Sequence, residues 1–151
     1  MKQILILLTA LFVFAKNSNA QLAEDSVKAI INQLFDAMRN ADADKLTETF
    51  SDSAILQTIR RGKEGIFFVD NENVKDFTDF VRKSKKDSAD ERIVFETIKI
   101  DGPLASVWAP YKFYYAGKFS HCGVDSFQLV RINGRWKIQY LVDTRRRQGC
   151  E

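Results

Sequence analysis

The chain contains a single histidine, His121, and an aspartate follows it four residues later at Asp125. An imidazole and a carboxyl facing one cavity are a pair suited to moving a proton, with His121 as general base or acid and Asp125 as a second polar group. On an extended strand that spacing separates their Cα atoms by about 13 Å. The two side chains would then engage opposite ends of a small molecule without touching each other. The competing expectation is structural. Asp125 would be bonded to Tyr140, Thr144 or an arginine, and His121 would sit partly exposed near the start of its strand. His121 and Cys122 do not make a nucleophile pair, because neighbouring strand residues point to opposite faces.

Cys122 and Cys150 are the only cysteines. An even pair in an exported chain usually forms a disulfide, and a turn at Gln148-Gly149 would return Cys150 to the penultimate strand. Two free thiols or an intermolecular bridge are the alternatives. Two cysteines and one histidine exclude a four-cysteine or two-histidine zinc site. Phosphate-loop, nucleophile-elbow and dinucleotide fingerprints are absent. The expectation is no metal and no cofactor.

The elements that must position these residues begin after a leader. Residues 1–20 have the form of a secretory signal peptide, with Lys2, an apolar run from Ile4 to Phe14, and Ser18 and Ala20 before the cleavage point. Export would place the chain in a secreted or periplasmic, oxidising compartment, with no membrane attachment after cleavage. Removing Lys2 and Lys16 from the 23 basic residues leaves 21 against 20 acidic ones. A nearly neutral domain is a poor nucleic-acid binder. The length fits one domain, here residues 21–145 followed by a tail at 146–151.

Apolar residues at Val27, Ile30, Ile31, Leu34, Phe35 and Met38 make one stripe of a helix over 26–40. A short second helix follows, capped by Asp42 or Asp44, and Ser51-Asp52-Ser53 reads as its closing turn. Short strands are expected at 54–59 and 66–69, with a third helix at 73–84. Residues 83–92 read as a solvated, charged connection. Four longer strands follow, ending in a hairpin at Asn133-Gly134, both of which tolerate positive φ. A bulge-free register pairs Leu129 with Ile138, Phe127 with Tyr140, Asp125 with Val142 and Gly123 with Thr144. It places Phe127, Tyr140 and Val142 on the core face with His121 and Asp125, and Asp143 and Arg145 on the opposite face. In the preceding strand, alternation sends Tyr111, Phe113 and Tyr115 to one face and Trp108 and Tyr114 to the other, unless Pro110 brings a bulge or an edge.

The segments Asn40-Ala41-Asp42-Ala43-Asp44-Lys45-Leu46, Phe50-Ser51-Asp52-Ser53-Ala54 and Asn133-Gly134-Arg135-Trp136-Lys137-Ile138, in this element order, resemble the nuclear-transport-factor-2-like superfamily with its SnoaL-like, polyketide-cyclase members. The resemblance implies an α+β fold in which a strongly bent antiparallel sheet wraps a long N-terminal helix and leaves a cone-shaped pocket. Three functions are then expected. One is an exported domain binding a small apolar or aromatic ligand against Trp108, Tyr111, Phe113, Tyr115, Phe127 and Tyr140, with Arg145 at the mouth. A second is a cofactor-independent lyase or isomerase using His121 and Asp125. The third is a homodimeric interaction module with a filled cone.

Overall fold

The computed structural model describes the backbone of residues 2–150 and the side chains of residues 21–150. The leader expected at residues 1–20 lies outside the residues whose side chains are described. Among the described residues no helix is long and apolar enough to cross a membrane.

Helix α1 (Lys2–Arg39) carries the apolar stripe, and Val27, Ile31, Leu34, Phe35 and Met38 are buried. It ends where Ala41 takes φ 56°, a left-handed conformation that cannot continue the helix. Helix α2 (Ala43–Thr47) follows, with the Asp42 carboxylate accepting from the Lys45 N–H at 3.1 Å. Strand β1 (Phe50–Arg61) and edge strand β2 (Phe67–Glu72) form an antiparallel hairpin. Helix α3 (Val74–Lys83) is capped by Asn73, whose side chain accepts from the Asp76 N–H at 2.8 Å.

Strands β3 (Ala89–Ile93) and β4 (Thr97–Asp101) both pair with β5 (Leu104–Tyr115), which pairs with β6 (Lys118–Ile132) and then β7 (Arg135–Thr144). The seven strands form one curved sheet in the order β2-β1-β7-β6-β5-β3, with β4 joined to β5. All pairings are antiparallel except β1 with β7, which is parallel. Pro110 stays in register opposite Val124. Its carbonyl accepts from Val94, at the gap between β3 and β4. A residue without an N–H sits where that ladder is already interrupted.

Three sequence expectations are corrected here. Ser51 to Ser53 belong to β1, not to a turn. The connection expected at 83–92 contains β3, and Ala89 is completely buried. The last hairpin is also not bulge-free. Ile132–Arg135 and Leu129–Ile138 pair as expected, but Gln128 then faces Tyr140, so Gln139 is an extra residue. Opposite it, β1 bulges between Phe50 and Ile55. The Gln139 amide joins the two irregularities, accepting from Ser51 Oγ at 2.7 Å and donating to the Ser53 carbonyl at 3.0 Å. One extra residue reverses every side chain beyond it. Leu141 and Asp143 therefore point inward, and Tyr140 and Val142 point outward.

Gly123 has a specific role on β6. A Cβ there would lie 1.7 Å from the Thr144 carbonyl oxygen and 2.8 Å from the Tyr111 ring. Only glycine permits this close approach of backbone and ring.

Candidate functional site

A cavity of about 460 Å³ opens between α1, α3 and the concave face of the sheet. Its apolar wall is supplied by Leu34, Phe35 and Met38 of α1, Phe77 and Phe80 of α3, and Phe113 and Leu141 of the sheet. The helical stripe that fills the core also furnishes this wall, because the bent sheet leaves it uncovered over part of its length. The remaining lining is polar and strongly acidic. Glu91, His121, Asp125, Asp143 and Arg145 project from β3, β6 and the end of β7, and Arg60, Asp70 and Glu72 from the β1–β2 hairpin.

Asp125 is only 3% exposed, and its Oδ2 has no hydrogen-bond partner among the described residues. Its carboxyl lies within hydrogen-bonding reach of the Glu91 carboxyl. Burial, and then the neighbouring Glu91 and Asp143 charges, push Asp125 well above the usual carboxylate range. Burial also raises Glu91, to about 7. Both carboxyls therefore keep their protons to higher pH than an exposed carboxylate does.

Asp143 differs from this pair because side-chain donors reach its carboxylate. Its Oδ2 accepts from the Tyr111 hydroxyl at 3.0 Å and from Arg145 Nε at 2.8 Å. The Tyr111 hydroxyl also reaches the Thr144 carbonyl at 3.0 Å. Burial and the surrounding carboxylates raise Tyr111, so it remains a neutral donor. At the mouth, Arg60 Nε is 3.0 Å from Asp70. Burial raises the nearby Glu72 carboxyl.

His121 is inward on β6. Its ring lies edge-on to Tyr111 at 5.7 Å and tilted against Phe113 at 5.0 Å, with Nδ1 3.0 Å from Ser120 Oγ. Burial first, and then the Arg145 charge, lower its pKa and favour the neutral imidazole.

The structure divides the residues singled out in the sequence. His121, Asp125, Phe113 and Arg145 line the cavity. Arg145 was expected on the opposite face, and the Gln139 bulge turns it inward. Tyr111 lies behind the wall and holds Asp143. Phe127 is fully buried, edge-on to Phe35 at 6.3 Å, and fills core. Trp108 is on the outer face and 47% exposed, because its parity is opposite to that of Tyr111. Tyr115 is exposed at the end of β5, beyond a register shift after Phe113. Tyr140 is on the outer face, bonded to Gln57. The structural alternative for Asp125 also fails: Tyr140 points away, Thr144 Oγ1 accepts from the Val124 N–H, and Arg145 goes to Asp143. Cys122 and Cys150 form a disulfide with Cα atoms 5.8 Å apart. The backbones of Cys122 and Arg146 are paired beside it, which fixes the chain just past Arg145. Among the described residues, no three His, Cys, Asp or Glu side chains are arranged to hold a metal ion.

Glu91 and Asp143 were not identified from the sequence. Ala89, Glu91 and Ile93 do alternate, which is a strand signal, but it is hidden in a charged run. A bulge-free register puts Asp143 on the wrong face.

A curved sheet packed over a long helix, with an open-mouthed cavity between them, is the nuclear-transport-factor-2-like, or cystatin-like, architecture. Similar solved structures carry that description. One is an NTF2-like protein of unknown function from Shewanella baltica, with 14% identity and a TM-score of 0.64, covering 83% of this chain and 94% of that one. Another, from Nostoc punctiforme, has a cystatin-like fold, 10% identity and a TM-score of 0.65, covering 84% and 93%. A third, NTF2-like and from Methylobacillus flagellatus, has 18% identity and a TM-score of 0.60, covering 82% and 92%. Comparison with curated proteins gives no match. Residues 23–140 match the family described as "Putative lumazine-binding", and the chain belongs to that family.

Proposed function

We propose that this chain is an exported small-molecule-binding domain whose ligand occupies the cavity beneath α1 and α3. The observation that carries this reading is the cavity's construction. Its volume of about 460 Å³ lies within the ~300–1,000 Å³ usual for ligand sites, and like them it combines an apolar wall with a few polar groups. Lumazine, named in the family's description, is a flat bicyclic heterocycle with N–H and C=O groups on one edge. The carboxyl oxygens on the cavity's polar side accept from the N–H groups of such an edge. A cone filled by side chains fits this volume less well. Export rests on the leader at residues 1–20 and accords with a disulfide, which persists in oxidising compartments. The homodimer expected from the fold would use the outer sheet face, where Ile55, Leu104, Trp108 and Ile132 are exposed.

The test is titration of the mature chain with lumazine and with the neutral fluorophore N-phenyl-1-naphthylamine. Saturable binding of the fluorophore, displaced by lumazine and lost in Leu141→Trp, supports the reading. Failure of both compounds to bind overturns it.

One observation favours a second reading as a lyase or isomerase. Burial favours the neutral imidazole of His121 and the protonated carboxyl of Asp125, a base and an acid in the same cavity. Deuterium uptake into bound 2-tetralone above the buffer rate, lost in His121→Gln, supports turnover. Uptake at the buffer rate removes this reading.

A further inference from the structure

The cavity's polar side is unbalanced in both charge and hydrogen bonding. Asp143 is neutralised by Arg145 and Asp70 by Arg60. Glu91 and Asp125 face no such cation. Among the described residues neither accepts a hydrogen bond from any other group, and Asp125 Oδ2 is sealed from solvent without a donor. A buried carboxyl lacking a donor costs stability. Asp125 nevertheless stands at the centre of the concave face, where an apolar residue would pack without that cost. The carboxyl oxygens that Glu91 and Asp125 turn to the cavity are acceptors that need donors from outside the protein.

The charged groups around the pair do not supply them. Tyr111 and Arg145 are both committed to Asp143. His121 is bonded to Ser120 through Nδ1, and its ring packs against Phe113, whose backbone lies between Glu91 and His121 in the sheet. Glu72 adds a further acid to the lining.

We propose that the Glu91–Asp125 carboxyl pair is the recognition point for a planar N–H-bearing cation, of the amidinium or protonated aminoheterocycle type. This rests on the reading of the cavity as a small-molecule site, and specifies which molecules it selects. A flat fork of two N–H groups meets two carboxyl oxygens bidentately. The Phe113 ring and the apolar wall of α1 and α3 accommodate the flat body. The cation supplies the missing donors and the missing positive charge together.

Three benzene derivatives of one size separate the possibilities: benzamidine, benzamide and benzoate, titrated calorimetrically at pH 7.5 with N-phenyl-1-naphthylamine as a control for an open cavity. Benzamidine is expected to bind at least tenfold more tightly than benzamide, with benzoate weakest. Glu91→Gln and Asp125→Asn should each weaken benzamidine at least tenfold while keeping a cooperative thermal transition. If Asp125→Asn does not fold, Glu91→Gln carries the comparison. Equal affinity for the three compounds, or benzamidine binding indifferent to the substitutions, overturns the proposal. If the fluorophore binds and benzamidine does not, only the ligand class is wrong. If neither binds, the small-molecule reading falls with it.

Discussion

The carboxyls of Glu91 and Asp125 face each other inside the cavity although their strands, β3 and β6, are not neighbours. Strand β5 lies between them and contributes Ala109 opposite Asp125 and Phe113 opposite Glu91. The curvature of the sheet lets two side chains converge across an intervening strand. Their closeness gives the concave face an acidic centre.

Stability should therefore fall as pH rises. Both folded-state pKa values are raised, so the native state binds more protons than the unfolded chain between the ordinary carboxylate pKa and the folded value. The contribution is fully present below about pH 4 and is lost through about pH 7, where Glu91 titrates. Urea denaturation at intervals from pH 4 to 8 should show this decline, and Glu91→Gln should flatten it. A wild-type profile that rises over this window would contradict the raised values.

Cation binding should have the opposite pH dependence. Deprotonating the pair creates the charge that benzamidine recognises, so its affinity should increase between pH 6 and 8. His121, Asp143, Arg145, Arg60, Asp70, Glu72 and Asp76 face the same space, and Tyr111 lies behind Asp143. The lowered pKa of His121 favours its neutral imidazole, and the raised pKa of Tyr111 keeps its hydroxyl neutral. Isothermal titration in buffers of different ionisation enthalpy should also show proton release on binding.

Replacing Asp125 with an apolar residue should separate stability from binding. Asp125→Leu removes a buried, donor-free carboxyl, and substitutions of this kind are often neutral or stabilising. The melting temperature should not fall, while benzamidine binding is lost. A loss of more than about 2 kcal/mol would show that Asp125 has a structural partner in solution.

Gly123→Ala should be among the most damaging single substitutions. The new methyl would overlap the Thr144 carbonyl, which is backbone and has little room to move. Overpacking costs typically about 1–3 kcal/mol or more. Tyr111→Phe, which leaves the ring in place and deletes its bond to Asp143, should cost about 1–2 kcal/mol. Chemical denaturation of both variants checks the order; an undisturbed Gly123→Ala would refute the close approach.

The disulfide closes 28 residues of sequence, which by loop entropy stabilises the fold by roughly 3–4 kcal/mol. Cys150→Ser should lower stability by up to that amount and loosen Arg146, whose backbone pairs with Cys122. Intact mass before and after reduction and alkylation, followed by denaturation, provides the check. Two thiols alkylated without reductant would show that the bridge is absent.

The sequence alone determined the order of the helices and of the last three strands, the buried stripe of α1, the Asn133-Gly134 hairpin and the inward faces of His121 and Asp125. Each follows from local signals: helical periodicity, turn residues that accept positive φ, and alternation counted from a tight turn. The pairing of Cys122 with Cys150 follows from their even number together with the expectation of export. The tertiary structure decided which of the remaining residues share the cavity. Gln139 is an extra residue in β7 because its amide satisfies Ser51 and Ser53 on β1, a strand far away in the chain. That contact reverses Tyr140, Asp143 and Arg145, and nothing near Gln139 in the sequence signals it. Glu91 looks like one more charge in a solvated stretch until β3 docks on β5 and the bend of the sheet brings it to Asp125. Alternation is a property of one strand, whereas bulges and convergence across a curved sheet depend on what the neighbouring strands require.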